Sequence, residues 1–418
     1  MRKSFIAIIL ILLDTLTLGI IFSTLPANIE AVLITLLLLY SEKIYTLHYD
    51  FWQEMKKILK ALLLSYLIIL SFLVFSDKLV QNQAYSIALY FLLLSVVLPI
   101  QKRIAKRLLY AISLFKTDVL LLGKKEEIDI FKRELKENWY LGLQPNKQHY
   151  STVIIASKGM KLKDIDKLIS QYLTTNTTLH VVPYLRDINF SNATIIEYSN
   201  IRYNTIQIEN RLLMKRNIFI KNFFDYLFGI LLLPIFLLLH LVLSLLIRLD
   251  SKGDILFRQQ RLAKDGKIFV CYKYRTMYED SEILLQNYLK EHSEEIDYYK
   301  KYHKYKNDPR VTRVGKFLRR TSLDELAQII NILKGEMSFV GPRPYMLNES
   351  EALGKSKEFI LKVKPGITGL WQVSGRNNIP FKERIKLETW YIKNWSLWAD
   401  FIIVIKTIKV VFMKVGAK

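Results

Sequence analysis

Two adjacent carboxylates, Asp324 and Glu325, directly follow a dense basic run in this sequence. The segment 300–320 holds nine Lys and Arg residues against one acid. An aspartate can attack phosphorus to form an acyl phosphate, provided that cations neutralise the phosphoryl oxygens. Arg319, Arg320 and a bound Mg²⁺ would supply that positive charge. The spacing therefore indicates phosphoryl-transfer chemistry for the carboxylate pair.

The same residues also have a purely structural interpretation, as the start of a helix. Apolar residues recur at helical spacing over Leu323–Lys334, and Ser322 with Glu325 fits the S-x-x-E capping box. Asp324 in the first turn would be stabilised by the helix dipole without any catalytic role. A helix N-terminus can equally bind phosphate and keep a carboxylate ionised. The local sequence leaves both interpretations open.

Further cations stand on segments that would hold their direction. Arg343 lies between Pro342 and Pro344, a stiff backbone suited to bidentate phosphate contact, although the triplet also fits a rigid turn with a solvated arginine. Lys273 and Arg275 lie two residues apart on a predicted strand, which would aim both cations at one face.

A loop rich in glycine and aromatic residues follows these cations. It reads KPGITGLWQVSGR, has Trp371 at its centre and ends at Arg376. It is too rich in glycine for a plain helix and too aromatic for a flexible linker. The basic half of the chain would suit nucleic acid, anionic lipid head groups or a phosphorylated small molecule. Nucleic acid is the weakest of the three, because the rest of the sequence indicates a membrane protein.

The membrane assignment rests on composition and hydropathy. The chain has 418 residues, 51% of them hydrophobic, and a formal net charge of +23. Several apolar segments approach the roughly 20 residues that a membrane-spanning helix needs. The apolar residues lie in five segments: Phe5–Leu25, Ala27–Tyr40, Ile58–Phe75, Ala84–Ile100 and Tyr226–Ile247. The first four predict a bundle of four transmembrane helices over 1–110, with the first segment an uncleaved helix rather than a signal peptide.

The loop charges predict the orientation of this bundle. The Ser41–Lys57 connection carries three lysines and four basic residues follow the fourth segment, whereas Ser23–Glu30 has none. Positive loops stay in the cytoplasm, so an even number of crossings leaves both ends cytoplasmic. The single cysteine, Cys271, agrees with a reducing compartment.

The fifth apolar segment has basic residues on both flanks and Pro234 inside it. A crossing helix would place one basic flank on the disfavoured side of the membrane. A re-entrant helix over 215–250, broken near Pro234 and returning to the cytoplasmic face, satisfies both observations. An ordinary kinked spanning helix explains hydropathy equally well.

Between these membrane segments, residues 117–200 predict a small Rossmann-like α/β domain. The strands are expected at Asp118–Gly123, Tyr150–Ser157 and Leu179–Leu185, with helices Lys125–Asn138 and Met160–Leu173 between them. The first strand is followed by Gly-Lys-Lys-Glu rather than by the G-x-G-x-x-G fingerprint. We therefore favour a structural or regulatory role over nucleotide binding.

Four motifs occur in an order that resembles one family. They are LFRQQRLAKDGKIFVCYKYRTM, DPRVTRVGKFLRRTSLDELAQIINILKGEMSFVGPRP, KPGITGLWQVSGR and YIKNWSLWADFIIVIKT. Together they resemble the bacterial sugar transferase family, the monotopic polyprenyl-phosphate phosphoglycosyl transferases. The likeness covers about Lys215–Thr407, and the upstream segments resemble the long form of the family. It implies a C-terminal α/β catalytic domain over 251–418 and favours the re-entrant helix that breaks at a proline, here Pro234.

The resemblance also implies roles for single residues. Asp324 matches the family's nucleophile and is expected at the Mg²⁺, and Glu325 matches its dyad partner. Arg319 matches the phosphate-contacting arginine, and Lys273 matches the lysine of the K-[FY]-R-[ST]-M motif. Pro342, Arg343 and Pro344 match the segment that contacts the uridine nucleotide; we include Arg275, Arg320 and Arg376 among the expected substrate-binding residues.

Two positions depart from the family pattern. Ala327 replaces the proline of L-D-E-L-P-Q, with little expected consequence because alanine extends the same helix. Glu388 stands where many members have aspartate, which keeps the carboxylate but changes its reach, so we assign it no role from sequence. Asp400 is a further candidate acid.

The expected reaction is transfer of a sugar 1-phosphate from a UDP-sugar to a polyprenyl phosphate, with Asp324 carrying the phosphosugar and UMP as the second product. The expected location is the bacterial inner membrane, with the catalytic domain on the cytoplasmic face. The expected partners are these two substrates and the lipid bilayer, without nucleic acid, and a homo-oligomer is left open. The alternatives are a ternary-complex displacement with the dyad as base and metal ligand, and a non-catalytic receptor or scaffold that binds anionic lipid.

Overall fold

The computed structural model describes most of the chain. The described residues are 2–23, 28–47, 49–76, 83–173, 178–182, 193–198, 203–292, 295–296, 305, 308–375 and 379–412. The chain divides into two compact units, Met1–Arg186 and Asp187–Lys418. Each unit is described by itself.

The first unit begins with four apolar helices: α1 Arg2–Phe22, α2 Asn28–Ser41, α3 Phe51–Phe75 and α4 Gln83–Ala111. Helices α1, α3 and α4 are long and apolar enough to cross a membrane. Helix α2 has 14 residues, a length of about 21 Å at 1.5 Å per residue, and so is shorter than a bilayer core of roughly 30 Å. The prediction of spanning helices is confirmed for three of the four segments.

Charged side chains of this unit lie inside the helix packing. Lys102 donates to Asp14 at 2.5 Å, and the hydroxyl of Tyr45 donates to the same Asp14 oxygen at 2.5 Å. Lys106 donates to Glu54 at 2.7 Å. All five side chains are buried, as expected for ionisable groups that must find partners away from lipid.

The α/β part of the first unit follows the predicted order. It consists of β1 Thr117–Gly123, α5 Lys125–Glu137, β2 Leu143–Pro145, β3 Thr152–Ala156, α6 Leu162–Leu173 and β4 Thr178–Val182. The strands pair in parallel in the order β2-β1-β3-β4. The three predicted strands and both helices are confirmed, and β2 is additional. Whether the sheet is Rossmann-like in detail stays a prediction.

The second unit starts with a hairpin and a long helix. The hairpin consists of β5 Thr194–Tyr198 and β6 Tyr203–Gln207, and α7 spans Lys215–Asp250. After α7 come further elements that surround the site: β7 Leu256–Leu262, β8 Ile268–Tyr274, α8 Ser281–Glu291, α9 Arg313–Thr321, α10 Ile329–Leu333, β9 Ser338–Val340, α11 Lys357–Ile360, β10 Gly366–Thr368, α12 Leu370–Ser374, α13 Phe381–Lys393 and α14 Leu397–Phe412.

Helix α7 runs without interruption through Pro234, in contrast to the predicted break at that residue. A proline removes one backbone hydrogen bond and crowds the preceding turn, which the neighbouring turns can accommodate as a continuous helix. The helix packs against the rest of the second unit on both sides of Pro234. Asp225 accepts from the Phe339 backbone, and Leu243 and Ile247 share a core cluster with Tyr274.

Candidate active site

Strands β7 and β8 form an antiparallel hairpin that carries Lys273. Lys273 lies opposite Phe257 in the register, and Cys271 lies opposite Gln259. Because side chains two residues apart share a face, Cys271 and Lys273 point to the same side of the hairpin. The strand ends at Tyr274, so Arg275 lies beyond it.

The carboxylate pair stands on a segment that differs from the predicted helix. Helix α9 ends at Ser322, which has left-handed backbone angles, φ 58° and ψ 18°. A 3₁₀ segment, Leu323–Gln328, follows, and the α-helix resumes only over α10. Ser322 makes no side-chain cap, so the predicted capping box with Glu325 is wrong. The left-handed residue ends α9 and turns the chain sharply, so Ser322 is the C-cap of α9 and also precedes the 3₁₀ segment without capping it.

Asn331 fastens this segment to β8. Its side-chain oxygen accepts from the Tyr272 backbone at 3.1 Å, and its amide group donates to the Val270 carbonyl at 2.7 Å. Asn331 is fully buried, so both hydrogen bonds are shielded from water. The carboxylate pair and Lys273 are thereby held in a common frame.

The two carboxylates have different partners. Lys273 donates to Glu325 Oε1 at 2.8 Å. Burial, with the charge of Glu325 second, raises the pKa of Asp324 to about 6, although Lys273 and Arg319 act in the opposite direction. Burial lowers the pKa of Lys273, but Glu325 and Asp324 outweigh it and the net direction is upward, so the lysine stays charged. Asp324 is thus an ionised carboxylate near neutral pH, close to two cations.

Arg319 approaches the same pair from the last turn of α9. Its Nε donates to Thr276 Oγ1 at 2.9 Å, which fixes the guanidinium plane. Burial lowers the pKa of Arg319, while Asp324 and Asp308 raise it. An arginine titrates so far above neutrality that it stays charged here.

A cavity of about 800 Å³ opens in front of these residues. It is lined by cations, by the two carboxylates and by polar and aromatic groups. Among its lining residues are Gln259, Arg261, Lys273, Arg319, Asp324, Glu325, Gln328, Arg343, Pro344, Trp371 and Gln372. This volume suits a small, largely enclosed ligand with phosphate groups.

Arg343 forms one wall of the cavity. Its guanidinium carbon lies 5.9 Å from the centroid of the Trp371 ring, a distance at which a cation and an aromatic face attract each other. Arg384, on α13, lies 4.1 Å from the same ring centroid. Trp371, the centre of the predicted aromatic loop, therefore stands between the cavity and α13.

Some predicted site residues contact other parts of the protein or lie outside the cavity lining. The Arg275 guanidinium donates to the Ser251 carbonyl at 2.7 Å and to the Lys252 carbonyl, although the residue also borders the cavity together with Lys273. It therefore holds the end of α7, and its role in substrate binding stays a prediction. Arg320 is exposed and Pro342 is buried, and neither lines the cavity. Arg376 lies outside the described residues.

Several residues of the cavity were missed from sequence, among them Arg261 and Gln328. Arg261 is 5% exposed and lies two residues after Gln259 on β7. Gln328 is 2% exposed and lies four residues after Asp324, at the end of the 3₁₀ segment. For Arg261 the signal was present, since the i, i+2 spacing on one strand of the hairpin mirrors that of Cys271 and Lys273 on the other.

The residues at the cavity fit a magnesium ion that is partly held by substrate. Within the described ranges, no three His, Cys, Asp or Glu side chains gather as a metal-binding group. Mg²⁺ in phosphoryl-transfer sites is commonly held by one or two carboxylates, with phosphates and water completing the octahedron. Asp324 would provide one such ligand, because Glu325 is engaged with Lys273.

The chain is similar to known proteins over most of its length. The family model described as bacterial sugar transferase matches residues 216–414. An uncharacterized sugar transferase of Haemophilus influenzae is 32% identical over 405 residues, covering 89% of this chain and 85% of that protein. The undecaprenyl-phosphate galactose phosphotransferase of Salmonella typhimurium is 30% identical over 402 residues, with 89% and 84% covered.

A third relative matches a shorter stretch of the chain. The UDP-glucose:undecaprenyl-phosphate glucose-1-phosphate transferase of Escherichia coli is 32% identical over 254 residues, which is 58% of this chain and 51% of that protein. The family match includes the helix α7, the carboxylate pair and the whole cavity lining described above. The likeness to full-length relatives and the match over the catalytic half lead to one conclusion: the chain belongs to the bacterial sugar transferase family.

Proposed function

We propose that this phosphoglycosyl transferase moves a sugar 1-phosphate from a UDP-sugar to polyprenyl phosphate, in the undecaprenyl form, and releases UMP. The observation that carries the proposal is Asp324 at the cavity, half-buried and close to the charges of Lys273 and Arg319, with Glu325 paired to Lys273. The names of the Salmonella and Escherichia relatives supply the substrate class.

Asp324 is the nucleophile in this proposal. One carboxylate oxygen attacks the phosphorus that bears the sugar, and the bond from that phosphorus to the bridging oxygen of UMP breaks. UMP leaves with that oxygen and its electron pair. An oxygen of polyprenyl phosphate then attacks the same phosphorus, the bond to Asp324 breaks, and the carboxylate is restored.

The other residues bind and orient the donor. Arg319 and Lys273 face the charge of the phosphoryl oxygens, and Lys273 also keeps Glu325 turned away from the phosphorus. Arg343 and Pro344 border the part of the cavity assigned to the nucleotide. Magnesium held by Asp324 and the diphosphate would neutralise further negative charge.

We place the catalytic half on the cytoplasmic face of the bacterial inner membrane. Asp225 and Ile247 on α7 are separated by 22 residues, about 33 Å along a helix, yet both pack against the same catalytic part. Leu231 and Leu238, between them, are exposed and apolar. A helix that bends at Pro234 without breaking, keeps both ends on one side and turns its middle to lipid agrees with these contacts and with the basic flanks. Such a re-entrant position places the cavity near the head groups, where the lipid phosphate lies.

The test is UMP release by the purified chain with undecaprenyl phosphate and a panel of UDP-sugars that includes galactose, glucose and their N-acetylated forms. The variant D324N should lose about a thousandfold or more in rate, because the amide is not a nucleophile for phosphorus. The control is D280N, an exposed carboxylate before α8 that makes no side-chain cap. Unchanged transfer by D324N would overturn the reaction assignment and favour a receptor or scaffold.

A second experiment separates the covalent route from direct displacement. The chain is incubated with UDP-sugar alone, and peptides around Asp324 are examined by mass spectrometry. A phosphosugar on Asp324 supports the covalent route, and its absence in active enzyme supports a ternary complex with the dyad as base and metal ligand.

A further inference from the structure

The Glu388 carboxylate accepts hydrogen bonds from the segment Arg343–Tyr345, which borders the cavity. Glu388 stands on α13 and is 1% exposed. Its Oε1 accepts from the Arg343 backbone N–H at 2.7 Å, and its Oε2 accepts from the hydroxyl of Tyr345. One buried side chain thus holds two residues of this segment through hydrogen bonds.

Arg261 holds the residue between them from a different element. Its Nη1 donates to the Pro344 carbonyl at 3.1 Å, and its Nε donates to Gln259 Oε1 at 3.1 Å. The backbone of Leu262, the next residue on β7, donates to the Tyr345 carbonyl at 2.9 Å. Three consecutive residues, Arg343 to Tyr345, are therefore fixed by contacts from both α13 and β7.

The prolines alone cannot fix this segment in place. Proline restricts its own φ angle, but it does not determine where the segment stands relative to Asp324. The Arg343 guanidinium lies beside the Trp371 ring and borders the cavity. Its position there depends on where the Arg343 backbone is held. The Glu388 contact acts on that backbone directly.

The burial of Glu388 is costly, which argues for a specific role. Burial raises the pKa of Glu388 to about 7, although the hydrogen bonds from Arg343 and Tyr345 and the charge of Arg384 act in the opposite direction. An apolar side chain would fill the same space without this cost. We therefore explain the presence of a carboxylate at this position by its hydrogen bonds with the Arg343 backbone and the Tyr345 hydroxyl.

We infer that Glu388 is a positioning residue for the sugar-nucleotide donor: by holding the Arg343 backbone, it sets the guanidinium against the nucleotide diphosphate. The inference rests on the proposed function. Glu388 acts through Arg343 and touches neither substrate.

The test is a double-mutant cycle with E388L, R343A and E388L/R343A. We expect E388L to raise the KM for UDP-sugar roughly 10- to 100-fold, the range for loss of a hydrogen bond to a charged group, with kcat and the KM for undecaprenyl phosphate within about threefold. The double variant should be no worse than R343A. The variant E388Q should stay near wild type, because its amide oxygen still accepts from the Arg343 backbone.

Two controls keep the outcomes distinct. E383Q changes an exposed acid of the same helix that pairs with Lys386, and it should leave the KM unchanged. Binding of UDP alone is measured for the whole cycle, so the result does not depend on turnover. The inference would be overturned if the fold-changes of E388L and R343A multiplied in the double variant. It would also be overturned by an E388L protein that folds and binds UDP like wild type. Wild-type protein that binds UDP but releases no UMP would instead overturn the proposed function.

Discussion

The ammonium group of Lys273 lies 2.8 Å from the Glu325 carboxylate, and this contact gives two adjacent acids different surroundings. Glu325 has a direct cationic partner, whereas Asp324 lies half-buried beside it with a raised pKa. The pair joins β8 to the 3₁₀ segment, which are 52 residues apart in sequence. The electrostatics of the site therefore depend on tertiary contact.

The rate of adduct formation should fall as the pH is lowered through about 6. Asp324 must be ionised to attack phosphorus, and its pKa is raised to about 6, first by burial and then by Glu325. In E325Q the neighbouring negative charge is absent, so the pKa of Asp324 falls. The acidic limb of the plot of rate against pH, where the rate falls with falling pH, therefore moves to lower pH. Single-turnover adduct formation against pH measures the shift. An acidic limb at the same pH in E325Q and wild type would show that a group other than Asp324 controls the fall in rate.

The variant K273M should move the acidic limb of the plot of rate against pH to higher pH, opposite to the shift in E325Q. Lys273 lowers the pKa of Asp324, so its loss raises that pKa and requires a higher pH for the same ionised fraction. The rate on the plateau should also fall, because a cation near the phosphate is lost. K334M is the matched control, since Lys334 contacts Tyr272 and does not line the cavity. Shifts of equal sign in K273M and E325Q would contradict the assigned charges.

Ser322 offers a stability test of the left-handed turn. S322G should be neutral or stabilising by up to about 1 kcal/mol, because glycine adopts φ near 58° without the strain of a side chain. S322V should destabilise by about 1–2 kcal/mol. Unfolding midpoints in a constant detergent or lipid environment give both values. At the neighbouring helical residue, T321G should destabilise instead, and a valine tolerated at 322 would contradict the turn.

The membrane position of α7 can be tested with single cysteines. R216C and K252C lie at its two exposed ends, and both should react with a membrane-impermeant maleimide in inside-out vesicles and not in intact spheroplasts. L238C, in the exposed apolar middle, should react slowly from either side because lipid excludes the reagent. The native Cys271 is 1% exposed and gives a low background. Labelling of the two ends from opposite sides would show a crossing helix.

Much of the organisation could be predicted because its signals are local. The strands β1, β3 and β4 are short apolar runs separated by amphipathic helices, and the structure has them as a parallel sheet. The spanning segments α1, α3 and α4 follow from length and hydropathy. Ser322 shows the limit, since S-x-x-E fits a helix start and the chain uses the serine to end the preceding helix.

The sequence by itself determined the family, the membrane segments and the identity of the candidate nucleophile, because these depend on motif order, hydropathy and residue type. Only the tertiary structure decided that Lys273 pairs with Glu325, that Arg275 binds the carbonyls at the end of α7, and that Glu388 supports the Arg343 backbone. The physical reason is common to all three. Each contact joins side chains to groups 23 to 52 residues away in sequence, and local propensity carries no information on which distant group will satisfy a buried charge.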